Sequence, residues 1–231
     1  MHGIARFDAK ARLLAEVARD RNVLHLGAVG ETLASPEERA AAAPTSVHAL
    51  LTSVARACVG VDIDSAAVRA IVAAGVFDNL IAADATTIER SSIALPAIDV
   101  IVASDVIEHL ANPGRLLGAA RRLADPHTRL VVTTPNASAV TQFARYVLGR
   151  AVEGDDHKVS FNVYSLRHLL ASQGWEVERV ATCHQSKASG RVGRLFPIAA
   201  AALRRAPSLG GTLFALCRPV ERPSAPLAPS V

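Results

Sequence analysis

Short apolar runs recur along the chain, each followed by a helical pattern or a loop. The runs are Val23–Leu26, Cys58–Val61, Asn79–Ala83, Asp99–Ala103, Arg129–Thr134, Trp175–Val180 and Thr212–Cys217. Between them, apolar residues return at helical spacing. Phe7 to Arg19 reads as a helix. A second runs from a cap at Thr45 or Ser46 to about Ala57. A third starts at Ser65, turns Val68, Ile71 and Val72 inward and stops at Gly75. A fourth opens at Asn112-Pro113 and carries Leu116, Leu117, Ala120 and Leu123. Ser138 to Gly149 reads as a fifth. A sixth is capped by Ser165, carries Leu166, Leu169 and Leu170, and ends at Gly174. Residues 31–45 read as a long loop or a poorly ordered helix. Strands alternating with helices specify an α/β fold, a doubly wound and mostly parallel sheet with helices on both faces. Residues 1–217 form one domain, and the Pro- and Ser-rich stretch 218–231 reads as a disordered tail.

Composition narrows the function classes. The net charge of +4 comes from 25 basic and 21 acidic residues, and the cations are dispersed. Arg121-Arg122 and Arg204-Arg205 are the adjacent basic pairs, so no basic stripe for nucleic acid forms. Aromatic residues make up 4% of the chain, too few for a base-stacking surface. Cys58, Cys183 and Cys217 are odd in number and far apart, which suits reduced thiols in a cytoplasm rather than a disulfide framework or zinc site. The first residues lack an apolar signal core, and Arg204, Arg205 and Pro207 break the apolar stretch Leu195–Leu216. A cytoplasmic protein without a transmembrane segment is expected; oligomeric state stays open.

Four of the runs end in groups suited to a ligand, as the carboxyl ends of strands in open α/β sheets do. After Leu24-His25-Leu26 come Gly27, Ala28, Val29 and Gly30, a glycine pair that lets backbone approach a ligand without forming GxGxxG. Val59-Gly-Val-Asp62-Ile63-Asp64 offers one acid to cap the next helix and a second, Asp62, to accept from ribose hydroxyls, with Ile63 as an apolar face for a base. Ile81-Ala-Ala-Asp84-Ala85 places another acid at a strand end. Asp99-Val-Ile-Val-Ala-Ser-Asp-Val-Ile-Glu-His-Leu110 finishes in Ser104, Asp105, Glu108 and His109.

In order and spacing this series resembles the class I S-adenosylmethionine-dependent methyltransferases, over about residues 20–180. Its last block, with Thr133-Thr-Pro-Asn136 and Asp156-His157 before Phe161, looks most like the small-molecule branch that includes ubiquinone-biosynthesis O-methyltransferases. The resemblance implies a Rossmann-like sheet of seven strands, the last antiparallel, and S-adenosyl-L-methionine as cofactor. Gly27, Ala28 and Gly30 would cradle its methionine part, Asp62 its ribose, and Ile63, Asp84 and Ala85 its adenine; Ser104 and Asp105 would line the methyl donor. The chain departs from the family where an acid usually stands two residues before the first glycine. That position is His25, with Glu31 the acid able to compensate, and Val29 replaces a second glycine. Residues 31–45 would be an insertion over the cofactor mouth.

Methyl transfer is an in-line displacement, so the protein mainly aligns nucleophile and methyl. A hydroxyl acceptor needs a base, and histidine suits that at neutral pH. His109 and His157 are the candidates. Asp105, Glu108 and His109 form a thin donor set for Mg²⁺, and no metal is assigned. His48 and His168 lie on helices and read as packing or surface residues. A small-molecule acceptor is expected, such as a sugar, a glycolipid precursor or another secondary metabolite, in a pocket from residues 137–160 and 183–211. Arg145, Arg150 and Lys158 hint that it is anionic. The competing class is a non-catalytic interaction module on the same fold, which the altered glycine loop would favour.

Overall fold

The computed structural model describes residues 5–7, 10–30, 35–140, 142, 146, 149, 156–183 and 207–220. Its strands are β1 (Ala5–Phe7), β2 (Asn22–Leu26), β3 (Ala57–Asp62), β4 (Leu80–Ala82), β5 (Val100–Ser104), β6 (Arg129–Pro135), β7 (Trp175–Cys183) and β8 (Thr212–Pro219). Helices α1 (Lys10–Ala18), α2 (Pro36–Ala42), α3 (Val47–Val54), α4 (Ser65–Ala73), α5 (Pro113–Leu123) and α6 (Val163–Ser172) connect them. All strands join one sheet in the order β1-β7-β8-β6-β5-β2-β3-β4. Pairing is parallel except at β8, which runs antiparallel to both β6 and β7. The seven expected strands are therefore present, with the last one reversed, and β1 adds an eighth beside β7.

Each face of the sheet buries its own core. Leu24, Leu26, Val61, Ile101, Leu130 and Val132 pack with Leu116 and Leu117 of α5 and Leu166 and Leu170 of α6. Val23, Cys58, Val100, Val102 and Val131 turn the other way, against Leu13 and Leu14 of α1 and Leu51 of α3. Successive strand residues point to opposite faces, so a strand covered on both sides must be apolar throughout. The sole tryptophan, Trp175, is fully buried and donates its indole N–H to the Leu117 carbonyl at 3.0 Å. Cys58, Cys183 and Cys217 are free thiols inside these cores. Burial pushes the Cys58 and Cys183 thiols up to about 11.

Several local expectations are corrected. Phe7 belongs to β1, and α1 begins at Lys10. Asp64, not Ser65, caps α4, accepting from the Ala66 and Ala67 N–H groups, and Val72 faces solvent. Asn162, not Ser165, caps α6; the two residues form a capping box, with Ser165 at its third position. Asn112 precedes α5 but makes no side-chain cap bond, and Pro113 at the first position sets the start. Residues 36–42, within the stretch read as a long loop or a poorly ordered helix, form helix α2. A capping box between Ser35 and Glu38 holds it, and Arg39 pairs with Asp64 at the head of α4. Residues 31–34, much of 138–149 and the segment 184–206 lie outside the described residues. Arg218 and Pro219, read as the start of the tail, end β8, and residues 221–231 lie outside the described residues.

At the centre of β3, Gly60 sits where the sheet meets α3 and β4. A Cβ there would lie 2.5 Å from Leu80 Cδ2 and 2.7 Å from both Ala28 Cβ and His48 Cε1. Gly60→Ala is expected to cost about 1–3 kcal/mol through overpacking. Urea unfolding measures it, and an unshifted midpoint would contradict this packing.

Candidate active site

The polar groups gather at the carboxyl ends of β2, β3, β4, β5 and β6. Directly after β2 the backbone reverses at Gly27, with φ +74°. A Cβ at Gly27 would stand 2.7 Å from Val106 Cγ2, so the close approach of this turn to the end of β5 requires glycine. The Gly27 and Ala28 N–H groups both donate to the Val61 carbonyl, at 2.9 and 3.2 Å. The loop thus lies across the end of β3. Gly30 also has positive φ, with open space where a Cβ would point.

Asp62, at the end of β3, fastens this loop. Its Oδ2 accepts from the Val29 N–H at 2.9 Å and its Oδ1 from the Asp64 N–H at 3.0 Å. Asp62 is not spare, then, although a carboxylate has about four acceptor sites and two remain. Ile63 beside it is 74% exposed, an uncovered apolar side chain next to a carboxylate. Asp84 follows β4; its Oδ1 accepts from the Thr86 N–H at 2.8 Å and its carbonyl from Thr87 and Ile88 N–H. Ala85 packs partly buried against the larger core.

A closed ring of hydrogen bonds crowns β5 and β6. Lys10 Nζ donates to Ser104 Oγ at 3.3 Å and pairs with Asp105 Oδ2. Ser104 Oγ and Thr133 Oγ1 are 2.9 Å apart, and Thr133 Oγ1 donates to Asp105 Oδ1 at 3.0 Å. The hydroxyl directions consistent with all four contacts run Lys10 to Ser104 to Thr133 to Asp105. Asp105 holds a left-handed φ of +51°, which aspartate tolerates better than most residues. Its N–H donates to the Thr133 carbonyl at 2.9 Å.

Beyond the ring a single 3-10 turn, Ile107–His109, carries Glu108 and His109. Glu108 is only 2% exposed. Its Oε2 accepts from Thr134 Oγ1 at 2.9 Å, while buried Oε1 has no hydrogen-bond partner among the described residues. Burial pushes the Glu108 carboxyl up to about 7, with Asp105 adding to the rise. The Glu108 carbonyl accepts from Lys158 and Val159 N–H, at 2.8 and 3.2 Å, and so anchors the segment bearing His157. The rings of His109 and His157 meet edge-on, centroids 4.9 Å apart. His109 Nδ1 lies 2.8 Å from Asp156 Oδ2, at ion-pair distance without the alignment of a hydrogen bond. Ligand-type atoms of Glu108, His109 and His157 all fall within 4.8 Å of one another.

His25, where the resemblance would put an acid, is buried and does not face this mouth. It stacks on His48 with Nδ1 atoms 3.3 Å apart, and His48 Nε2 lies 3.2 Å from Asn79 Oδ1. Burial drives the His25 pKa well below the ordinary histidine value, helped by His48 and then Lys10; burial also lowers that of His48. Both are neutral packing groups, as expected for His48, while exposed His168 packs against Tyr164.

A model of the methyltransferase domain family matches residues 5–180. The chain belongs to that family. No match is found among the curated proteins. Among solved structures, an S-adenosylmethionine-dependent methyltransferase from Archaeoglobus fulgidus is similar at 17% identity and TM-score 0.55, covering 90% of each chain. The N-methyltransferase NodS from Bradyrhizobium japonicum, solved with S-adenosyl-L-homocysteine, is similar at 13% identity and TM-score 0.54, covering 92% of this chain and 86% of its own. A methyltransferase in complex with the Haloferax volcanii Trm112 activator gives 14% identity and TM-score 0.57, covering 93% of this chain and 90% of its own.

The cofactor of such a methyltransferase is S-adenosylmethionine. The open acceptor sites of Asp62, exposed Ile63 and the Asp84 carboxylate fit a ribose and an adenine ring. Sequence reading missed Lys10 and the Thr133 and Thr134 hydroxyls. These belong to an N-terminal helix and an apolar strand whose pattern signals burial, and only the strand order brings them to Asp105 and Glu108.

Glu108 generates a pH prediction. Its folded-state pKa is raised, so it binds more protons folded than unfolded, and its contribution falls as pH rises from about 4.5 to about 7. The stability of the wild type minus that of Glu108→Gln should be flat below that window and decline across it. Urea unfolding of both proteins from pH 4 to 8 measures this; parallel curves would show that Glu108 ionises like an exposed carboxyl.

Proposed function

We propose that this methyltransferase methylates an oxygen of a small-molecule acceptor, with the His109–His157 pair taking the acceptor's proton. One observation carries the reading: two imidazoles converge beside the end of β5, one of them held by Asp156, next to the strand end that would line the methyl donor. When bound, S-adenosylmethionine supplies an electrophilic methyl group on a sulfonium. The chain's own task is then to hold the acceptor in line, exclude water and remove one proton. Asp62, Ile63, Asp84 and Ala85 hold the nucleoside in this reading, Gly27, Ala28 and Gly30 pass their backbone beneath the methionine portion, and Ser104 and Asp105 border the reacting end.

The anionic acceptor suggested by Arg145, Arg150 and Lys158 has less behind it. Arg145 and Arg150 lie outside the described residues, and Lys158 is exposed. The Trm112 activator seen with one similar structure belongs to that protein. A macromolecular acceptor is the alternative that a transfer assay must separate.

Calorimetric titration with S-adenosylhomocysteine tests the cofactor site. Asp62→Ala should abolish detectable binding, and unchanged affinity would remove Asp62 from it. Incubating the protein with isotopically labelled methyl donor and fractionated small metabolites, then with a protein fraction, tests the acceptor class. Label in the metabolite fraction supports the reading, and label in polypeptide alone defeats it. His157→Ala should slow transfer by about 10²-fold or more, as for loss of a general base; normal turnover would exclude it.

A further inference from the structure

We propose that a groove along α5 is a second ligand site, one that takes the phosphoryl group of a small molecule. It lies apart from the candidate active site. None of the residues placed at the cofactor or at the acceptor's proton lines it.

Three elements enclose a cavity of about 730 Å³: residues 86–90 beyond the Asp84 turn, one face of α5, and Gln173 just after α6. That volume is within the range of small-molecule sites. Gly114 and Gly118 of α5 line it. A Cβ at Gly118 would stand 3.1 Å from Gln173 Oε1, and one at Gly114 would stand 3.3 Å from Gln173 Nε2. The bare helix surface therefore lets the Gln173 amide lie along α5. Among the described residues that amide bonds only to Ser172 Oγ, at 3.3 Å. Its oxygen and a second N–H are left for a ligand.

The charge around this cavity is one-sided. Arg90, Arg115 and Arg122 line it, against a single acid, Glu89. Among the described residues, none of the three guanidiniums pairs with a carboxylate. Arg90 donates to the Ile93 and Leu95 carbonyls at 2.9 and 2.6 Å, and Arg122 to the Thr86 carbonyl at 3.2 Å. Those bonds orient the two groups without cancelling their charge. The Arg115 side chain is exposed and makes no such bond among the described residues. Arg115 and Arg122 stand two helical turns apart on one face of α5, about 10 Å along its axis. Both long side chains can close on a ligand between them.

A guanidinium is a planar fork of donors that binds phosphoryl oxygens two at a time and stays charged at any working pH. Three arginines against one glutamate leave an excess of two positive charges. A phosphate monoester carries about two negative charges near neutral pH and balances them. A monocarboxylate would balance half. The cavity wall is also rich in groups that meet an ester's polar remainder, the Gln173 amide and the Thr86 and Thr87 side chains among them.

Calorimetric titration of the full chain with inorganic phosphate, pyrophosphate and glycerol 3-phosphate tests the site. At least one should bind one-to-one, and the tightest tells whether the groove is built for a free anion, a diphosphate or an ester. Arg115→Gln and Arg122→Gln should each weaken that probe about tenfold or more, the loss expected for charge-assisted hydrogen bonds. Arg12→Gln, which removes an exposed charge on α1, should leave it within about twofold. Gly118→Met keeps every charge but fills the groove, and it should weaken the probe as strongly. Methionine favours a helix over glycine, so α5 survives that change, as circular dichroism can verify. Saturation with S-adenosylhomocysteine should leave the phosphate probe bound. Failure of all three probes to bind at millimolar concentration would overturn the proposal. So would binding that survives the arginine substitutions or Gly118→Met, binding that falls equally with Arg12→Gln, and displacement by S-adenosylhomocysteine, which would place the anion in the cofactor site.

Discussion

The turn at Gly27 is the constraint on which the site depends. Because no side chain is present, the chain leaving β2 can pass against Val106 and lay three successive N–H groups over the end of β3. Two reach the Val61 carbonyl and the third reaches Asp62. One missing methyl group thus ties the ends of β2, β3 and β5 together. Any larger residue would push the loop off Val106 and release Asp62 from the Val29 N–H. Glycine meets both demands of this position, the left-handed backbone and the absent Cβ, without strain.

The ends of β5 and β6 are organised differently, by side chains rather than backbone. Ser104, Thr133, Asp105 and Lys10 satisfy one another in a ring, so four polar groups sit at the edge of an apolar core with defined directions. Glu108 is the exception, with one buried oxygen lacking a partner among the described residues and a carboxyl pushed up to about 7 by burial. The cost is offset by its backbone carbonyl, which fastens the segment that brings His157 to His109. A group that is poorly solvated, incompletely bonded and placed beside two imidazoles marks where the fold departs from its own rules of economy.

The sheet was legible in the sequence because a parallel strand buried on both faces must be an unbroken apolar run, and every such run became a strand. β1 was not legible: three residues give no period to read, and its pairing partner β7 lies far along the chain. The helix α2 was obscured by a Ser-Pro opening and a polar, Ala-rich body, although its capping box was present in the residues Ser35 and Glu38. Acids at strand ends were visible, but their partners were not. The bond that Asp62 accepts from the Val29 N–H was hidden because Val29 lies in the loop after β2, and the stack of His25 on His48 was hidden because it crosses from β2 to α3. Ser65 and Ser165 were plausible caps by type, yet Asp64 and Asn162 reach the free N–H groups first.

The reversed strand has a consequence for how the molecule assembles. β7 touches the rest of the sheet through β8 alone, and β1 touches only β7. The first strand of the chain therefore has no docking place until the last has been inserted between β6 and β7. A nascent chain can build the block from β2 to β6, with its glycine turn, while α6 and β7 wait on the sequence that follows them. Closing the sheet is then a long-range event with a correspondingly large entropic cost. The edge of β6 is left uncovered in the interval, and this is where an incomplete chain would be open to pairing with a stranger.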